Sequence, residues 1–121
     1  MTDYPGERRD FTRADLDIPV EVHQGGSVWR QRLVNICLAG VATDQPDVWD
    51  AQYNEPFTLL MHLDSGKKLE LHAYLQHVKA KRLGFSVQHV DDGTLETLRS
   101  LLEAHIEDPL LLDAQIQKLR G

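Results

Sequence analysis

The 121 residues carry 13 Lys and Arg against 19 Asp and Glu, a net charge of −6, with 41% hydrophobic and 26% charged residues. That balance excludes a disordered chain and a disulfide scaffold, and its negative mean field opposes broad binding to DNA or to anionic membrane. Length and composition suit one domain around one core, and an anionic ligand has to find a local basic patch.

Residues 1–16 hold charge with little periodicity, broken by Pro5 and Gly6, and read as a flexible N-terminal arm. Charge in the first ten residues, where a signal peptide needs an apolar run, sets the expectation of no signal peptide. The lone Cys37 cannot form an internal disulfide, and every apolar run is far shorter than the roughly 20 residues of a membrane span. The expectation is a cytoplasmic protein without a membrane partner.

Alternation starts at Ile18, Val20 and Val22, and Gly25-Gly26 marks a hairpin turn. Residues 27–38 are rich in β-branched and aromatic types and end at Asn35-Ile36-Cys37-Leu38-Ala39-Gly40, where Asn and Gly predict a sharp change of direction. A short strand over 41–43 follows, then a polar connection with one helical turn around Trp49. Phe57, Leu59, Met61 and Leu63 alternate up to a turn at Asp64-Ser65-Gly66. Leu69, Leu71, Ala73 and Leu75 oppose Glu70, His72, Tyr74 and Gln76, and Leu83, Phe85, Val87 and His89 form the partner strand. Strands joined by tight turns predict an antiparallel barrel over 17–91, because closure removes open edges.

Beyond Gly93 the period becomes helical: Leu95, Leu98, Leu102 and Ile106 form a stripe, with Asp92 or Thr94 as N-cap. Asp108 caps a second helix, with Pro109 in its first position and Leu112, Ile116 and Leu119 on one face. Residues 92–121 are therefore expected to pack on the barrel as a helical tail.

Two segments carry the chemistry. Glu7-Arg8-Arg9-Asp10-Phe11-Thr12-Arg13 contains Arg-x-x-x-Arg at Arg9 and Arg13, and Asn35 to Gly40 follows about twenty residues later. A guanidinium grips a phosphate or the O6/N7 edge of guanine with two parallel hydrogen bonds, which lysine cannot do. In order and spacing the pair resembles the signature of the PilZ domain family, Arg-x-x-x-Arg then Asp or Asn-x-Ser-x-x-Gly. The resemblance extends through Leu83-Gly84-Phe85 and the helical tail, and is nearest to stand-alone PilZ proteins.

The resemblance implies a mainly β fold, a six-stranded antiparallel barrel with C-terminal helices, that binds the bacterial second messenger cyclic di-GMP. Arg9 and Arg13 would hold guanine edges and phosphates, Asn35 would offer an acceptor, and Gly40 would admit the backbone close to the ligand. Arg8 implies a stacked pair of ligands rather than one. Cys37 stands where the family has serine, and His77 where related binders carry a stacking aromatic; His77 reads equally as an ordinary strand residue at the barrel rim. Ligand binding would order the arm and signal to an effector protein, with no cofactor, no enzymatic role and a monomeric chain.

The plainer readings run alongside. Asp3, Glu7 and Asp10 balance the arginines, Cys37 fits a small buried residue, and Trp29 and Trp49 fit the core. Lys79, Lys81 and Arg82 fit a solvated hairpin tip; the alternative is that they would add positive potential beside a ligand. His72 and His77, an odd number of residues apart, are expected on opposite faces of their strand and so not on one metal. A ligand-independent interaction module is the alternative function, and a metal-dependent enzyme the third.

Overall fold

The strand pattern closes on itself. In the computed structural model, which describes residues 13–88, 91–106, 108 and 110–120 (side chains of 119 and 120 apart), seven strands precede two helices. They are β1 (Ala14–Asp15), β2 (Pro19–Gln24), β3 (Ser27–Ile36), β4 (Gly40–Asp44), β5 (Phe57–His62), β6 (Lys68–Lys79) and β7 (Arg82–Gln88), then α1 (Asp92–Glu103) and α2 (Leu110–Arg120). Antiparallel pairing runs β3-β2-β5-β6-β7-β4 and returns from β4 to β3, so six strands form a closed barrel. Short β1 adds to the outer end of β3, with Ala14 opposite Ile36 and Asp15 opposite Asn35.

Alternation delivers one face of each strand to the interior. Val20, Val22, Leu59, Met61, Leu69, Leu71 and Leu83 are all buried there. The one large polar side chain among them, Gln31, donates through Nε2 to Thr43 Oγ1 at 2.7 Å and to the Asp44 carbonyl at 2.5 Å, which offsets the burial of its NH2 group, while its Oε1 is buried without a partner among the described residues. Ala14 and Leu16, inside the segment expected to be a mobile arm, are themselves buried against the barrel.

The connection between β4 and β5 contains no helical turn around Trp49, contrary to expectation. Its backbone is tied instead to a side chain across the barrel end, since the Gln24 amide donates to Gln52 O (2.7 Å) and accepts from Gln52 N (2.8 Å). Trp49 fills the gap beneath: its ring lies 4.8 Å from Trp29 and stacks 5.8 Å from Phe57, which meets Phe85 edge-on at 5.3 Å. Both tryptophans are packing residues, as expected for Trp29 and Trp49.

The N-cap of α1 is Asp91, not Asp92 or Thr94. Asp91 is extended (φ −153°, ψ 158°) and accepts from Thr94 N at 2.6 Å, so the helix begins one residue earlier than the apolar stripe indicates. Donation from the Thr94 backbone, then its hydroxyl, holds the Asp91 carboxyl below the usual range. Leu95, Leu98 and Leu102 are buried where α1 lies on β6. Asp108 accepts from Leu110 N at 3.1 Å and starts α2, whose Leu112 and Ile116 are buried; Arg99 pairs with Asp113 and joins the two helices. Pro109 and His89 lie outside the described residues.

Candidate functional site

The β3–β4–β7–β6 wall carries a row of residues unlike its neighbours. Asn35 pairs with Ala42, Ala42 with Gly84, and Gly84 with His77. The next row, Ile36, Val41 and Phe85, points into the core and is at most 3% exposed, so Asn35, Ala42, Gly84 and His77 face outward. With alanine and glycine as its middle members the row is a shallow shelf. A Cβ placed on Gly84 would collide with the His77 imidazole, which therefore lies over the glycine while its other face remains exposed.

Both ends of this row are aimed by β-bulges. In β3 the register shifts between Leu33 and Asn35, and in β6 between Leu75 and His77. Leu33 and Leu75 occupy inward positions, so unbroken alternation would turn Asn35 and His77 inward as well; the extra residues Val34 and Gln76 turn them out. The bulge in β6 corrects the expectation for the histidines. His72 and His77 share the outer face, but their partners Gln88 and Gly84 are four residues apart, roughly 13 Å along the strand, too far for a shared ion. Among the described residues no cluster of three His, Cys, Asp or Glu side chains is placed to hold a metal.

Arg13, just before β1, brings the N-terminal motif to the same row. Its guanidinium donates to Asn35 Oδ1 at 2.6 Å. The β1–β3 pairing makes this possible by anchoring Ala14 opposite Ile36, the last residue of β3, and Asp15 opposite Asn35. At the β3–β4 turn, the Cys37 N–H donates to the Gly40 carbonyl at 2.9 Å. A side chain on Gly40 would press on the Phe85 carbonyl at 3.1 Å, which accounts for glycine there. Cys37 is 2% exposed, so its thiol lies beneath the turn rather than on the open shelf. Arg8 and Arg9 lie outside the described residues.

The family model of the PilZ domain matches residues 7–104. The chain belongs to the PilZ domain family. Solved structures share the barrel at low identity. The PilZ domain of CeSA from a cellulose-synthesising bacterium superposes with a TM-score of 0.66 at 22% identity, covering 77% of this chain and 96% of that one. The PilZ domain of Escherichia coli YcgR, solved with c-di-GMP, gives 0.66 at 16% identity over 81% of this chain and 91% of that one. The Bacillus subtilis inhibitor of motility MotI/DgrA gives 0.63 at 20% identity over 75% of this chain, which spans 47% of that protein. At these identities the likeness establishes the fold, and this PilZ chain spans about half the length of MotI.

Two parts of this PilZ shelf, Ala42 and Gly84, lie outside the motif residues. Gly84 had a signal, since glycine inside an alternating strand marks a close approach. Ala42 had none. Nearby, Arg32 pairs with Asp17 at 2.7 Å and also donates to its carbonyl, fastening the β1–β2 link. No helix among the described residues is long and apolar enough to cross a membrane.

Proposed function

We propose that this PilZ domain is a cyclic di-GMP receptor, with the ligand seated on the outer shelf between Arg13–Asn35 and His77. One observation carries the reading: the Arg13 hydrogen bond to Asn35 joins the two halves of the motif at one end of a flat surface. The other end has an imidazole able to stack on a base. The YcgR PilZ domain, solved with c-di-GMP, shares the barrel and supports the reading. Arg8 and Arg9 would add contacts from the N-terminal side, and Arg8 points to a stacked pair of ligands. The liganded surface, with residues 1–13 drawn onto it, would then recruit an effector protein. The domain acts by binding rather than by catalysis, without a further cofactor.

Cys37 shapes the site from below. With its thiol covered, it supplies no hydroxyl to the ligand, so recognition falls on arginine, Asn35 and the backbone around Gly40.

Calorimetric titration of the full chain with cyclic di-GMP tests this. Saturable binding with a stoichiometry near two is expected, and Arg13→Ala and Asn35→Ala each weaken it about tenfold or more, the worth of a charge-assisted hydrogen bond. Amides of residues 1–13 gain exchange protection on binding. Absence of heat with the parent chain rejects receptor function in favour of a ligand-independent interaction module.

A further inference from the structure

The β6–β7 hairpin turns through Ala80 (φ 54°) and Lys81 (φ 62°). Two consecutive left-handed residues make the tight turn that matches sheet twist, a conformation asparagine and glycine adopt at little cost. Alanine and lysine pay for it in backbone strain, and such strain concentrates at functional positions. The tip is also fixed in place, because Gln45 N donates to the Lys81 carbonyl at 2.9 Å and Arg82 pairs in register with Asp44 of β4.

Around this turn the chain collects Lys79, Lys81 and Arg82, all exposed. Among the described residues none of the three forms an ion pair, whereas Arg32 and Arg99 both do. In a chain of net charge −6 this is a local concentration of positive charge, with Asp44 as the acidic residue in register with Arg82. Its position is specific. Lys79 faces Arg82 across the hairpin, and both are two residues along their strands from the His77–Gly84 pair, on the same outward face. Two residues of strand are about 7 Å, within reach of a lysine or arginine side chain.

We infer that the hairpin is a phosphate-binding arm of the ligand site: Lys79 and Arg82 hold a phosphate of the cyclic dinucleotide whose base lies on His77, and Lys81 adds field at the tip. This rests on the receptor reading above. It places positive charge on the side of the shelf opposite Arg13, so the phosphates are gripped from both ends.

Calorimetry with cyclic di-GMP at low and high salt, on the full chain and four variants, tests it. Lys79→Ala and Arg82→Ala each weaken binding about threefold to tenfold, as expected for partly exposed charged contacts, and flatten its salt dependence. Lys81→Gly relieves strain, so its melting temperature rises while affinity falls about twofold, a combination that misfolding cannot produce. Lys68→Ala removes the same charge from the far end of β6 and leaves affinity unchanged. Parent-like affinity in Lys79→Ala and Arg82→Ala overturns the inference and assigns the patch to another partner. Equal weakening in Lys68→Ala also overturns it, by showing a net-charge effect. A parent chain that does not bind removes the receptor reading itself.

Discussion

The two halves of the barrel wall follow different rules. Across β2, β5 and the first half of β6 the register is unbroken, from Val20 opposite Met61 to Leu59 opposite Leu71, and large apolar side chains alternate inward. Across β3, β4, β7 and the end of β6 there are two bulges, a glycine covered by an imidazole and a strained turn. Regularity maximises burial; irregularity re-aims particular side chains. The first half therefore holds the fold and the second presents a surface.

Substitutions that separate the halves test this division. The largest effect is expected from Leu59→Ala in the regular half, a fully buried side chain whose truncation costs about 2 to 5 kcal/mol in denaturant unfolding. The folded fraction should still bind cyclic di-GMP with parent affinity; a matching loss of affinity would show that the halves are not separable. In the irregular half Gly84→Ala displaces the movable end of His77, so binding weakens about fivefold to tenfold, the lower range of base stacking, while the melting temperature barely moves. Ala80→Gly should stabilise by about 1 kcal/mol through relief of the left-handed conformation, read as a shift in denaturant midpoint at constant slope.

The smallest effect concerns the helix cap outside both halves. The Asp91 carboxyl is held below its usual range by Thr94, so its contribution is present above the unfolded aspartate value and is lost as pH falls through the folded value. Asp91→Asn keeps a capping oxygen without this titration. Melting curves below about pH 4 should therefore show the parent losing stability relative to the variant.

The same division explains what could be read from the sequence. Alternation in Phe57, Leu59 and Met61, and in Leu69, Leu71 and Ala73, locates strands and core, because burial enforces period two wherever the ladder is regular. Glycines at 25 and 66 mark turns because the positive φ they adopt there is one that other residues resist. The bulges at Val34 and Gln76 leave no such mark: one extra residue between two inward positions is set by pairing with another strand, which local sequence does not encode. Parity counting past Gln76 consequently fails for His77. The motif brought Arg13 and Asn35 to attention, but their contact depends on β1 pairing with the end of β3, a long-range choice. The helical turn expected near Trp49 loses to the tertiary bonds of Gln24.

The ring chain through the barrel gives the molecule an optical property. Both of its tryptophans belong to it, Trp29 against Trp49, then Phe57 and Phe85. Phe85 lies between Gly84 on the shelf and Ser86, the strand partner of Gly40, and its carbonyl crowds Gly40. A shift of β7 under a bound molecule would be expected to reach the indoles through these ring contacts. A change in tryptophan emission on titration with cyclic di-GMP is the expected outcome, and an unchanged spectrum at saturation would show that the rings do not respond.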